Sequence, residues 1–323
     1  MTVPEGMDQQ PLISIIIPAY NAVATLADTL DSVCAQTYGN LEILIVDDGS
    51  KDATVALAEE CCRRDPRIRV IRQDNAGVAA ARNNGWRQAQ SDYIAFVDAD
   101  DLWTRDKISR QFEALRGSDA GLVYSWYVII DAANRVTYRG DGPRQSGDVL
   151  DALILNNFVG NGSAAMVRRD VLERVGGFEP ALHNSGAQGC EDILFYCRVA
   201  EHYRFAVVED YQIGYRQLPD NMSSNMPRML RSWLMVLDEL ASRHPQRRAL
   251  LHRGLAGYAT WLARRSVHQG KPASLCQVAA VTAKWSPVLA LKLIGQVAPA
   301  TAFEMLRWKL PIAQPKPKVV PDT

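Results

Sequence analysis

The run Leu41-Glu42-Ile43-Leu44-Ile45-Val46-Asp47-Asp48-Gly49-Ser50 decides how the chain is read. Leu41 to Val46 is apolar at nearly every position, which suits a strand buried on both faces of a parallel sheet. Two acids follow directly, and Gly49 and Ser50 then supply turn chemistry. Ser50-Lys51-Asp52 suits a helix cap, with the helix over 53–62. The alternation continues on either side. Leu12 to Ile17 is a strand ended by Pro18, and Ala24 to Ala35 repeats apolar residues at helical spacing through Leu26, Leu30, Val33 and Cys34. Ile68 to Ile71 reads as a third strand, Ala76 to Ala89 as a third helix and Tyr93 to Val97 as a fourth strand. This order predicts an α/β fold, a mostly parallel sheet covered by helices on each side, whose ligands bind at the carboxyl ends of the strands.

Beyond Trp103 the pattern is mixed. A helix is expected near Lys107 to Leu115, strands at Gly121 to Ile130 and Gly162 to Val167, and a turn at Ala133-Asn134-Arg135. A short helix over 169–175, a longer one over 192–203, and two last strands at Phe205 to Val208 and Tyr211 to Tyr215 complete this part. After residue 220 everything is helical in period. The organisation expected is a flexible N-terminus (1–11), an α/β unit (12–218, divided at 103/104), a helical region (219–313) and a disordered Pro-rich tail (314–323).

With 323 residues, 47% hydrophobic and 22% charged, the chain can bury a sizeable core, and disordered, collagen-like and coiled-coil classes are excluded. No long uncharged apolar run and no signal-peptide pattern are read, so a cytoplasmic chain without a membrane span is expected. Zero net charge conceals a split: residues 1–219 hold 21 Lys and Arg against 31 Asp and Glu, and residues 220–323 hold 15 against 5. The first part would repel nucleic acid, while the second suits anionic lipid or a phosphorylated acceptor.

Three acidic groups fall where the sheet puts strand ends: Asp47-Asp48, Asp98-Ala99-Asp100-Asp101, and Glu191-Asp192 entering a helix. Asp98 and Asp100, two apart on leaving a strand, can point the same way. The small Ala99 between them admits close approach of a ligand. Mg²⁺ typically takes one or two carboxylates plus substrate phosphates, which fits a metal diphosphate here. Each acidic group also has a plain structural reading as a turn or helix cap, with Asp101 capping in the second.

The order of the motifs is more specific than any one of them. Ile15-Ile16-Ile17-Pro18-Ala19-Tyr20-Asn21, Val46 to Ser50, Asn75-Ala76-Gly77 with Ala81-Arg82-Asn83, Asp98-Ala99-Asp100, Gly176-Gly177-Phe178 and Glu191-Asp192 resemble the successive motifs of family 2 glycosyltransferases with the GT-A fold, over about residues 12–218. The resemblance implies a nucleotide pocket shaped by Pro18, Tyr20 and Asn21, with Asp48 or Asp47 accepting from the base and Arg82 nearby. It implies Mg²⁺ or Mn²⁺ held by Asp100, with Asp98 assisting through the ribose or the metal shell. Asp192, with Glu191 as second choice, would take the acceptor's proton, and the anomeric configuration would invert. The Gln-x-x-Arg-Trp motif of processive members is absent, so one sugar per encounter is implied. Tyr215-Arg216-Gln217 is followed by Leu218 where the family often has His, and Arg216 is assigned a diphosphate contact.

The function this implies is metal-dependent inverting transfer from a nucleotide sugar, first a UDP-sugar, to a glycan or lipid-linked acceptor in bacterial surface-polysaccharide or lipopolysaccharide assembly. A nucleotidyltransferase and a catalytically silent sugar-nucleotide or glycan-binding module are the alternatives. Gly160 to Ala165 formally matches a dinucleotide fingerprint but has no strand before it. In the basic third, Trp233, Trp261, Trp285 and Trp308 are interleaved with Arg and Lys, which suits either peripheral contact with an anionic membrane or a helical bundle with tryptophans in its core.

Overall fold

The computed structural model describes residues 10–218, 221 and 224–309. The expected tail and residues 1–9 of the expected flexible N-terminus lie outside them, as does the side chain of Trp308. Nine strands form one sheet: β1 (Ile13–Ala19), β2 (Leu41–Asp47), β3 (Ile68–Arg72), β4 (Tyr93–Phe96), β5 (Leu102–Trp103), β6 (Ala120–Ile130), β7 (Val136–Tyr138), β8 (Ala165–Arg168) and β9 (Arg204–Arg216). Their order is β3-β2-β1-β4-β8-β6-β9-β5, with β7 paired to β6. The first four strands are mutually parallel, as their two-sided apolar runs require, and β8 joins β4 antiparallel. Every residue of β1 is buried, so the centre of the sheet is also the centre of the core.

The helices that cover the first half are α1 (Leu26–Cys34), α2 (Thr54–Arg64) and α3 (Val78–Gln88). They are followed by α4 (Lys107–Arg116), α5 (Leu150–Leu155), α6 (Arg169–Val175), α7 (Ala181–Asn184) and α8 (Glu191–Ala200). Then come α9 (Met226–Arg243), α10 (Arg248–His268), α11 (Pro272–Ala283), α12 (Pro287–Lys292) and α13 (Ala298–Lys309). No helix among the described residues is long and apolar enough to cross a membrane.

The helical end shares the core of the sheet. Leu230, Trp233, Leu237, Leu255 and Leu262 are buried in the same cluster as Ile193 and Leu153. Gly254 on α10 lies so close to α5 that an added Cβ would sit 2.1 Å from the Ile154 carbonyl oxygen. Arg247 is tied to Asp151 of α5 at 2.6 Å. Of the tryptophans in this region, Trp233 is buried, Trp285 half-buried and Trp261 45% exposed.

Two expected elements change. The two last strands are one, β9, because irregular registers opposite Ser125, Trp126 and Tyr127 absorb the break in alternation at Glu209-Asp210. The strand expected from Gly162 starts at Ala165, because Asn161 Oδ1 accepts from Ser163 N–H at 3.0 Å and turns the chain there.

Candidate active site

The carboxyl ends of β1, β2 and β4 meet on one edge of the sheet, and their loops are tied to one another. Asn21, in the left-handed region at φ 49°, donates its N–H to Ser50 Oγ at 2.9 Å and accepts from Lys51 N–H at 2.7 Å. Pro18 is buried at the end of β1, while the Tyr20 ring stands 52% exposed. Asp47 is buried, and both its oxygens accept from Ser50 N–H. Asp48 accepts from Ala76 N–H, Gly77 N–H and Gln73 Nε2 at 2.8–2.9 Å. Its carboxylate therefore fixes the entry to α3. Gly77 can serve there because it sits at φ 87° with the His183 ring 2.7 Å from where a Cβ would be.

The Asp98–Asp101 loop is held from several sides. Thr25 Oγ1 donates to the Ala99 carbonyl and Thr29 Oγ1 to the Asp101 carbonyl, at 2.8 and 2.9 Å. Ser163 Oγ accepts from Asp98 N–H at 2.9 Å and donates to Asp101 Oδ2 at 2.5 Å. Asp101 is fully buried, and its other oxygen accepts from Arg216 N–H at 2.9 Å. Burial raises its pKa well above the ordinary carboxylate range. It is an internal anchor, not the helix cap its position in a polar loop suggests.

Arg216 stands behind this loop. It is 1% exposed, and its guanidinium donates to the carbonyls of Asp100 at 2.6 Å, Asp131 at 3.3 Å and Ala132 at 3.4 Å. Those bonds make it a brace for the loop, where the resemblance implies a contact with a diphosphate. The Asp100 side chain, by contrast, receives no side-chain donor among the described residues. Burial and the neighbouring Asp98 push its pKa up to about 6.

Arg82, from α3, joins the acidic groups. Its Nη2 lies 2.5 Å from Asp98 Oδ1, its guanidinium covers the Phe178 ring at 5.1 Å, and its Nε has no partner among the described residues. Asp192, in the first turn of α8, also feels this cation. Burial pushes the Asp192 carboxyl up to about 6, opposed by Arg82 and by Ile193 N–H, which donates to Oδ1 at 2.7 Å. Asn157 Nδ2 lies 3.4 Å from Asp192 Oδ2. Glu191 beside it is 4% exposed, accepts from Gly189 N–H at 2.8 Å and, among the described residues, has no partner for Oε1. Burial raises its pKa too.

Asp98, Asp100, Arg82, Glu191 and Asp192 are thus brought together, and Arg216 lies behind them, its charge acting on the Asp100 carboxyl. Three contributors were missed in the sequence: Ser163, Asn157 and Tyr127. Tyr127 feels the Asp192 charge, meets the Tyr215 ring edge-on at 5.9 Å and leaves room only for a glycine at 160. The fingerprint-like segment Gly160 to Ala165 is the signal that could have found two of them. It has the close backbone approach of such a segment, but uses it against Tyr127 and the Asp98 loop.

The donor set fits a hard divalent cation. Among the described residues no cluster of three or more ligating side chains forms a closed metal site. Two carboxylates on one loop, one of them without a side-chain donor, match an ion that takes its remaining ligands from water and phosphate.

A family model described as Glycosyl transferase family 2 matches residues 14–176. An uncharacterised glycosyltransferase of Nostoc sp. is 34% identical over 194 residues, 57% of this chain and 58% of the relative. TuaG of Bacillus subtilis, named for teichuronic acid biosynthesis, is 37% identical over 122 residues, 38% of this chain and 48% of the relative. The chain therefore spans about half the length of these curated relatives. Among solved structures, S. aureus TarS 1–349 in complex with UDP-GlcNAc aligns with TM-score 0.63 at 16% identity, covering 92% of both chains. The mannosyltransferase PcManGT from Pyrobaculum calidifontis, in complex with GDP-Man and Mn²⁺, aligns with TM-score 0.59 at 22% identity, covering 92% of this chain and 81% of the other. Both likenesses are likenesses of fold, and that fold is GT-A. Since the family model takes in half of the chain, including the sheet-edge loops that carry Asn21, Asp48 and Asp100 and the helix that carries Arg82, the chain belongs to glycosyl transferase family 2.

Proposed function

We propose that this chain is an inverting, metal-dependent glycosyltransferase that moves one sugar per encounter from a nucleotide sugar, first a UDP-sugar, to a hydroxyl of a glycan or lipid-linked acceptor. Bacterial surface-polysaccharide or lipopolysaccharide assembly, at the cytoplasmic face of the membrane, is the setting proposed. One observation carries the reading. Asp98 from the loop after β4 and Asp192 from the start of α8 converge on the buried guanidinium of Arg82.

That convergence supports a division of roles. Asp100 and Asp98 are the residues that would hold Mg²⁺ or Mn²⁺, which when bound neutralises charge on a departing diphosphate. Pro18, Tyr20, Asn21 and Asp47 are the proposed walls of the nucleotide pocket. Asp48 positions the loop that carries α3, and Arg216 positions the Asp100 carbonyl. Asp192 is the proposed base: as the acceptor oxygen bonds to the anomeric carbon, the bond from that carbon to the diphosphate oxygen breaks and the hydroxyl proton passes to Asp192. A carboxyl with a pKa of about 6 is ionised at neutral pH yet basic enough to help, and such catalysis contributes about 10²–10⁴-fold. Tyr127 and Asn157, beside Asp192, with Tyr215 against the Tyr127 ring, suit the apolar face and hydroxyls of an acceptor sugar.

Thermal-shift and nucleotide-release assays with a panel of UDP- and GDP-sugars, with and without Mn²⁺, test the reading. Stabilisation by one nucleotide sugar that grows with Mn²⁺, together with slow release of its nucleotide, is expected. Indifference to every nucleotide sugar would contradict it.

A further inference from the structure

Large apolar side chains of the last helices stand in solvent. Val288 and Leu291 on α12 are 78% and 75% exposed, and Ile294, in the π-helical turn that follows, is 44% exposed. The three recur every third residue along one continuous helix and so share a side. Ala290 and Leu293, on the other side, are buried. Adjacent branched aliphatics left in water mark a surface that something covers.

The surrounding charge says what covers it. Residues 271–309 contain Lys271, Lys284, Lys292, Arg307 and Lys309 against the single acid Glu304. Lys284 and Lys292, next to the stripe, are exposed, and no carboxylate among the described residues forms an ion pair with either. An apolar stripe edged by free lysines complements the acyl boundary and anionic headgroups of a bilayer. It does not complement a second copy of itself, where like charges would face each other.

We infer that Val288, Leu291 and Ile294, with Lys284 and Lys292, seat this chain on an anionic bilayer surface, the aliphatic side chains entering the headgroup boundary. The inference deepens the proposed use of a lipid-linked acceptor and rests on that reading for its purpose, although vesicle binding itself needs neither donor nor acceptor.

The full chain is to be sedimented with phosphatidylcholine vesicles containing about 30% phosphatidylglycerol, and with pure phosphatidylcholine vesicles, at low and high salt. Partition onto the anionic vesicles at low salt, weakened by salt, is expected. The double variant Val288→Asp/Leu291→Asp should lower it roughly tenfold or more, and Lys284→Glu/Lys292→Glu should lower it and flatten its salt dependence. Both variants should keep the wild-type melting temperature and stabilisation by UDP-sugar. Wild-type protein that stays in solution at low salt overturns the inference, as does undiminished binding by Val288→Asp/Leu291→Asp. So does self-association in sedimentation velocity that this variant abolishes while vesicles are ignored. Failure of every nucleotide sugar to stabilise the same samples would count against the transfer reading alone and leave the vesicle result standing.

Discussion

The Arg82 guanidinium and the Asp98 carboxylate form an ion pair at 2.5 Å in which the arginine is 4% exposed and the aspartate 27%. Arg82 also lowers the pKa of Asp192, against the burial that raises it. Arg82→Gln should therefore destabilise the fold by about 2–4 kcal/mol, since breaking such a pair strands a half-buried charge. It should also shift the acid limb of the pH–kcat/KM profile upward from about 6. An unchanged acid limb in a folded variant would mean that the cation does not act on the titrating group.

The Asp192 carboxyl gives stability its own pH dependence. Its pKa is raised in the fold, so its contribution is fully present below the ordinary value of 3.8 and is lost as pH rises through about 6. Thermal melts of Asp192→Asn should match wild type near the acid end of this window. Above it the variant should be more stable, by about 3 kcal/mol. Parallel curves at every pH would show that the carboxyl is well solvated.

Gly254→Ala tests how the last helices are seated. Alanine in a helix is ordinarily worth about 1 kcal/mol over glycine. Here the added Cβ would meet the Ile154 carbonyl oxygen at 2.1 Å, and overpacking costs about 1–3 kcal/mol. Net destabilisation by denaturant titration is expected, and a stabilised variant would show that α10 and α5 can move apart freely.

The first half of the fold was legible because its signals are local. Ile13 to Ala19 and Leu41 to Asp47 are apolar on both faces, and each loop after them carries its own turn chemistry. Asp98 and Asp100 could be singled out because carboxylates after a buried strand are costly without a use, and Asp192 because Glu191-Asp192 completes the order of the motifs. The partners that decide their roles were not legible. Ser163 acts on Asp98 across 65 residues and Arg216 on Asp101 across 115, and no periodicity reports such pairings. The bonds of Arg216 to the Asp100, Asp131 and Ala132 carbonyls were equally hidden, since they span more than 80 residues and leave no local mark in the sequence. β5, of two residues, is too short to carry a pattern.

Asp100→Asn should abolish the Mn²⁺-dependent part of UDP binding without lowering the melting temperature, because no side chain among the described residues leans on this carboxylate for the fold and its burial disfavours the charged form. Calorimetry with and without Mn²⁺ reads this directly. Equal Mn²⁺-dependent affinity in the variant would move the metal to other ligands.

Single-turnover and steady-state transfer by Asp192→Asn bear most directly on the claim that one site holds donor and base together. The variant should keep donor affinity and Mn²⁺ response while turnover falls about 10²-fold or more, because the lost proton acceptor matters chiefly in the transition state. Near-normal turnover with intact donor binding would contradict that assignment, and parallel measurement of Glu191→Gln would then show whether the neighbouring carboxyl takes the proton instead.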